Sequence, residues 1–287
     1  MTNEYIYNTP VGTELIELYR NLERSIYKID NYLEFYEKKL FGFRGFPITL
    51  VEVGVFGGGS LELWQRYLHP DSRIIGVDLN QEAARFVPDG CLFYCFNQED
   101  PKAWNDFFDQ VGPVDVLIDD GGHLDNQQIQ TIQSVVPRLN SGGLLFIEDL
   151  FFSYRNSQGN PSQRSCINFL RKIIDELNYK YVEFNATNIS PLAGFIEEIS
   201  FGTAIACISK TKTKHSYSPW KIERNKNEIL DFRNYVGTAS EKILSIRLLR
   251  RLRREINRTF LRNNQFLLRF EAIIFEKIRI RSFRDSE

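Results

Sequence analysis

The chain has 287 residues, of which 43% are hydrophobic and 25% charged, and its net charge is −1. That length suits one large α/β domain with extensions or two small domains, and that composition excludes a disordered or collagen-like chain. The near-zero charge hides an acidic body and a basic tail: residues 211–287 hold 19 Lys+Arg and 9 Asp+Glu, whereas residues 1–210 hold 17 and 28.

Residues 11–40 place Leu15, Leu18, Leu22, Ile26, Ile29, Leu33, Tyr36 and Leu40 at helical spacing, which predicts one or two helices in a cap over 1–47. Gly42 to Pro47 break the pattern, and the β-branched run 48–54 reads as a first, buried parallel strand. Further strands are expected over 73–78, 92–96, 114–119 and 143–148, alternating with helices over 59–68, 81–86, 101–110 and 126–139. A helix over 163–178 and strands over 181–184 and 203–208 complete the domain, taken as 48–210. This alternation predicts an α/β fold: a seven-stranded, mostly parallel, Rossmann-like sheet with helices on both faces. Residues 211–237, polar and carrying Pro219 and Gly237, read as a linker. From Thr238 onward there is no glycine or proline, and Leu249, Leu252, Ile256 and Phe260 recur among arginines, as in a basic amphipathic helical extension.

Cys91, Cys95, Cys166 and Cys207 are too few and too scattered for a disulfide framework, and the first two lack CxxC spacing. They read as reduced thiols of a cytoplasmic protein. The start, Met1-Thr2-Asn3-Glu4-Tyr5, has no basic n-region or apolar h-region, and no uncharged apolar run reaches the roughly 18 residues of a spanning helix.

The first strand runs into Gly54-Val55-Phe56-Gly57-Gly58-Gly59-Ser60. Strand-to-helix glycine turns of this kind bind nucleotide-like cofactors, but a dinucleotide needs glycine at the third position of the fingerprint, and Phe56 stands there. Asp78, 24 residues after Gly54, ends the second strand, where a carboxylate can accept from both ribose hydroxyls. Gln98 and Asp100 follow the third strand beside an adenine-sized space.

Two later strand ends are acidic: Asp119-Asp120-Gly121-Gly122-His123 and Glu148-Asp149. In a sheet of this type they are neighbours, about 4.8 Å apart. Asp120, Glu148 and Asp149 could then share one ion, and oxygen ligands without cysteine favour magnesium, manganese or calcium over zinc. His123 folds back over the same place across the glycine pair, and an imidazole of ordinary pKa, about 6.5, can act as a base at neutral pH. Asp119 faces the cofactor or fixes the turn. The structural alternatives are an ordinary Asp-Gly-Gly turn and a helix-capping Glu-Asp pair. His69 and His215 have no such company and read as surface residues.

The pattern Glu-x-Gly-x-x-x-Gly at 52–58 resembles the first motif of class I S-adenosylmethionine (SAM) methyltransferases. With NQEDPKAW, VDVLIDDGGH and GGLLFIEDLFFSYR, residues 50 to about 155 resemble metal-dependent macrolide-sugar O-methyltransferases and cephalosporin hydroxylase-like proteins. The resemblance implies a SAM- and Mg²⁺-dependent O-methyltransferase acting on a sugar or glycosylated metabolite. It assigns the base to His123, the metal ligands to Asp120, Glu148 and Asp149, and SAM contacts to Glu52, Gly54, Ser60, Asp78, Gln98 and Asp100, with Gly57 and Gly58 in the same turn. The family usually has serine where this chain has Gly122, and His-Thr-Ser-Tyr-Trp where it has Phe151 to Arg155, the place of the acceptor. Acceptor identity is therefore left open. The remaining alternatives are a non-catalytic SAM-binding partner subunit and a metal-free methyltransferase. For the basic tail, docking on the acidic body, in the same chain or in an oligomer partner, ranks ahead of an anionic membrane surface, and no nucleic-acid-reading motif accompanies it.

Overall fold

The computed structural model describes residues 14–155, 162, 164–179 and 190–212. In chain order the elements are α1 (Glu14–Arg20), α2 (Asp30–Leu40), β1 (Thr49–Val53), α3 (Gly59–Tyr67), β2 (Arg73–Asp78), β3 (Leu92–Cys95) and α4 (Pro101–Val111). They continue with β4 (Val114–Asp119), α5 (Asp125–Val135), β5 (Leu139–Ile147), α6 (Cys166–Tyr179), β6 (Ile196–Gly202) and β7 (Ile205–Lys210). The seven strands make one sheet in the order β3-β2-β1-β4-β5-β7-β6. β1 to β5 are parallel to one another, and β7 runs antiparallel to both β5 and β6.

Side chains alternate across a strand, so one sheet presents two cores. Val51 and Val53 of β1, Leu117 of β4 and Leu145 and Ile147 of β5 pack against Trp104, Phe107, Ile132 and Leu170 of α4, α5 and α6. Leu50, Val116, Ile118, Leu144 and Phe146 point the other way, onto Leu15, Tyr32, Leu33, Tyr36, Leu61 and Trp64. The N-terminal helices thus share a core with the sheet rather than capping it from outside.

Most expected elements appear within a few residues. The segment 81–86 forms a 3₁₀ helix rather than an α-helix, entered through Asn80, whose side chain accepts from Glu82 N. The helix expected to run to 139 ends at Val135, because Pro137 starts a 3₁₀ turn that leads into β5. The expected strand over 181–184, most of the linker and the basic tail lie outside the described residues. Among the described residues the sheet is completed instead by β6, which places exposed Glu197 and Glu198 on an edge strand. No described helix is long and apolar enough to cross a membrane.

Candidate functional site

The glycine turn after β1 works by close approach. Gly54 has φ +96°, and a Cβ there would overlap the backbone carbonyl of Asp120 on neighbouring β4. Gly57 and Gly59 lie under Ser25, whose carbonyl accepts from Gly59 N at 3.1 Å, and Gly58 (φ +76°) lies against the carbonyl of Phe86. The segment between α1 and α2 therefore straps the start of α3. Glu62 of α3 holds the strap by accepting from Glu23 N (3.2 Å) and Arg24 N (3.0 Å).

Beside this turn, at the carboxyl ends of β1 to β4, is a cavity of about 230 Å³ lined by Val53, Gly54, Asp78, Leu79, Phe96, Asn97, Gln98, Gly121, Gly122 and Gln127. This is the place where open α/β sheets bind ligands. Asp78 accepts from Val55 N (3.0 Å) and Asn80 N (2.8 Å), and a carboxylate keeps acceptor capacity beyond those two bonds. Gln98 is fixed from behind: its Nε2 lies 2.9 Å and 3.1 Å from the Asp119 oxygens, and its Oε1 accepts from Gly122 N at 3.2 Å.

The same alternation that divides the core brings carboxylates together. β1, β4 and β5 are adjacent, with Glu52 paired to Ile118 and Ile118 to Phe146. Glu52, Asp120 and Glu148 therefore lie on one face, Glu52 one row deeper than the other two. Into their midst projects Lys28, which sequence reasoning missed. Its Nζ lies 3.0 Å from Glu52 Oε1, 2.5 Å from Asp120 Oδ2 and 2.6 Å from Glu148 Oε1, with the side chain 1% exposed. Burial alone would lower the Lys28 pKa, but Asp120, Glu148 and Glu52 outweigh it and hold the ammonium well above the usual lysine value. Three carboxylates against one ammonium leave a negative excess. Burial pushes the carboxyls of Glu148 and Glu52 up, and the Asp120 charge pushes both further, against the opposing pull of Lys28.

Two tyrosines one turn apart on α2 reach Glu148 and its chain neighbour Asp149. The Tyr36 hydroxyl is hydrogen-bonded to Glu148 Oε1, and the Tyr32 hydroxyl lies 2.8 Å from Asp149 Oδ1 and accepts from Asp149 N at 3.1 Å. Trp64 of α3 donates to Glu52 Oε2 at 2.9 Å, and Gln128 of α5 donates to the Glu148 carbonyl at 2.7 Å. The available signal for the tyrosines was the four-residue spacing of Tyr32 and Tyr36 on an otherwise apolar helical face, whereas Lys28 precedes the helix and falls outside that periodicity.

Asp149 adopts φ +57° and leaves the strand direction, so its carboxylate meets His123 rather than Lys28. His123, also at φ +57°, places Nε2 3.5 Å from Asp149 Oδ2 and 4.0 Å from Asp120 Oδ1. Left-handed backbone costs a non-glycine residue roughly 1–2 kcal/mol, and two of the four such residues among those described are His123 and Asp149. His123 Nδ1 is buried with no hydrogen-bond partner among the described residues. Phe152 covers the imidazole at 5.0 Å between ring centroids, and the Arg155 guanidinium lies 4.1 Å over Phe152.

The expected site residues fall into three places. Gly54, Asp78 and Gln98 line the cavity, with Gly57 and Gly58 in the turn beside it. Asp120, Glu148, Asp149 and His123 all stand at these strand ends, but the groupings able to hold an ion among the described residues are Asp120–His123–Asp149 and Glu52–Asp120–Glu148, which share Asp120 and place Glu148 and Asp149 of the expected trio in different groups. Glu52, Ser60, Asp100 and Asp119 are engaged by protein partners and do not line the cavity. Ser60 hydrogen-bonds Glu52, Asp100 caps α4 through Lys102 N at 2.8 Å, and Asp119 accepts from Gly121 N at 3.3 Å as well as from Gln98. Of its two expected roles, Asp119 thus takes that of fixing the turn. Gly122 has a local reason to lack a side chain, since a Cβ there would run into the Gln127 carboxamide, which caps the Leu124 N–H.

Oxygen donors with one imidazole and no thiol suit a hard divalent cation, and three carboxylates around one ammonium, with Asp149 beside them, leave charge for it to neutralise. The cavity, bounded by a glycine turn and the Asp78 carboxylate, suits a nucleoside.

Comparison with known proteins gives a concordant result. Residues 51–150 match a family described as methyltransferase domain. Over 161 residues the chain is 34% identical to the 8-demethyl-8-alpha-L-rhamnosyl tetracenomycin-C 2'-O-methyltransferase of Streptomyces olivaceus, covering 53% of this chain and 42% of that protein. It is 26% identical over 225 residues to the mycinamicin VI 2''-O-methyltransferase of Micromonospora griseorubida, covering 71% and 53%. The fold is similar to that of the MycE methyltransferase of mycinamycin biosynthesis, crystallised with Mg and SAH, with a TM-score of 0.63 and 20% identity over 71% of this chain and 55% of that one. The chain thus spans about half the length of the curated relatives it matches.

Proposed function

We propose, from the match of residues 51–150 to a methyltransferase domain, that the chain transfers a methyl group from S-adenosylmethionine to a hydroxyl of a sugar or glycosylated metabolite, assisted by magnesium. The observation that carries this reading is the convergence at neighbouring strand ends of the cavity beside Gly54 and Asp78, the carboxylates of Asp120, Glu148 and Asp149, and His123. The relatives' names, which specify methylation of sugar hydroxyls, support the acceptor class.

Asp78 would accept from the ribose hydroxyls, and Gly54 lets the cofactor approach the backbone. Gln98, held by Asp119, keeps the far wall of the cavity in place. Asp120, common to both groupings, would hold the ion, with Glu148 on one side and Asp149 on the other as its further candidate ligands. When bound, the cofactor supplies an electrophilic methyl whose leaving thioether needs no proton, and the ion supplies positive charge that acidifies a nearby hydroxyl. The chain's remaining task is to place the acceptor in line and remove its proton. His123 Nε2, set between Asp120 and Asp149, would be the atom that takes it. Phe152 packs against that imidazole.

His123→Ala tests the assignment. SAM binding should persist while transfer of labelled methyl to a panel of deoxysugar glycosides falls by about 10²–10⁴-fold; unchanged turnover would remove His123 from the mechanism. The basic extension at 238–287 is assigned to self-association or to an anionic membrane surface, where each cation near headgroups is worth about 1 kcal/mol.

A further inference from the structure

The centre of the acidic cluster is filled by a cation that belongs to the chain. Lys28 Nζ touches Asp120 Oδ2 and Glu148 Oε1, oxygens of two of the three residues that the proposed function gives to a divalent ion, and its third partner is Glu52. An ammonium at this distance and a divalent ion on the same two carboxylates would repel each other in a buried, weakly screened place. The ammonium also sits on a four-carbon stem with rotatable bonds, so its head can move without its helix.

The backbone around Lys28 is built to allow this. The strap is anchored upstream by Gly59 N on Ser25 O and by the Glu62 carboxylate on Glu23 N and Arg24 N. Downstream, Tyr32 N donates to Ile29 O. Between these anchors the backbones of Ile26, Tyr27 and Lys28 make no hydrogen bond among the described residues, and the Tyr27 side chain is 81% exposed. Tyr36 and Trp64 hold Glu148 and Glu52 in place from other elements, so the carboxylates stay arranged when the ammonium leaves.

We propose that Lys28 is a tethered place-holder for the divalent ion: its ammonium occupies the seat shared by Asp120 and Glu148 in the metal-free protein and swings out to solvent when the ion enters. The inference rests on the reading that a divalent ion binds at this cluster. It explains how buried carboxylates remain folded together without metal. It also makes metal affinity a difference between two cations competing for the same oxygens.

Two measurements on the full chain test it. Lysine acylation with an N-hydroxysuccinimide ester, read residue by residue by mass spectrometry, should leave Lys28 unlabelled in EDTA and label it in saturating Mg²⁺. Exposed Lys38 and Lys102 should label equally in both conditions. Mn²⁺ titration followed by electron paramagnetic resonance should show Lys28→Met binding the ion at least about tenfold more tightly than wild type. Lys28 protected while wild type demonstrably binds Mn²⁺, or equal Mn²⁺ affinity in the two proteins, overturns the place-holder and leaves the metal reading standing. Absence of Mn²⁺ binding by either protein overturns both. Should Lys28→Met not fold, the acylation pattern of the wild type decides alone.

Discussion

Tyr36→Phe isolates one interaction at the centre of the site. The substitution removes only the hydroxyl that is bonded to Glu148, and the ring keeps its packing, with centroids 5.2 Å from Trp64 and 4.7 Å from Phe146, so no cavity opens. Both residues are fully or almost fully buried. A hydrogen bond to a charged group is worth roughly 1.5–3 kcal/mol, and its loss leaves a buried carboxylate one donor short. Urea unfolding of the metal-free protein at neutral pH should therefore show a loss of about 1.5–3 kcal/mol with an unchanged m-value. Tyr67→Phe is the matched control: it deletes a hydroxyl that is buried without a partner among the described residues, and it keeps the ring beneath the Arg44 guanidinium. Its stability should stay level or rise by up to about 1 kcal/mol. A Tyr36→Phe protein within about 0.5 kcal/mol of wild type, or a Tyr67→Phe protein as damaged as Tyr36→Phe, would refute the reasoning.

Gly54→Ala adds a Cβ into the Asp120 carbonyl at φ +96°, so β1 and β4 must separate; calorimetry should show SAM binding abolished, and intact binding would contradict the close approach. Native alkylation should modify exposed Cys95 first and spare Cys166 and Cys207, whose thiols burial pushes up, Cys207 to about 12. Cys91, pushed up to about 11 chiefly by burial, should react slowly at pH 8 and faster as the pH climbs towards that value, because the thiolate is the nucleophile. Deleting 238–287 should abolish sedimentation with anionic vesicles if that segment is a membrane contact; equal sedimentation of the full and shortened chains leaves self-association as its role, checked by ultracentrifugation.

The strands and helices of the sheet were legible because each buries a periodic apolar face. β6 was not: its alternation is broken by Glu197 and Glu198, as suits an edge strand packed on one side. The acidic site was legible as two strand ends, but its true grouping depends on alternation along three strands. Glu52, Asp120 and Glu148 share a face because they sit at matched parity in register, and Glu52 was read as a cofactor contact because its motif drew attention to the turn instead. Asp149 escapes the parity rule through its left-handed backbone, a feature that no apolar pattern encodes. Lys28 was hardest to foresee. A lone lysine before an amphipathic helix reads as solvated, and only the strap formed by Ser25 on the glycine turn carries it into the core.

The central claim is that the cavity beside Gly54 holds S-adenosylmethionine next to a metal-binding acidic cluster. The most direct test is isothermal titration of EDTA-treated protein with SAM and with Mg²⁺, alongside Asp149→Asn, a substitution outside the Lys28 contacts. The account predicts SAM binding by both proteins and Mg²⁺ binding by the wild type, weakened at least about tenfold in the variant. SAM binding with no Mg²⁺ binding would reduce the acidic cluster to a structural ion pair, and absence of SAM binding would contradict the claim outright.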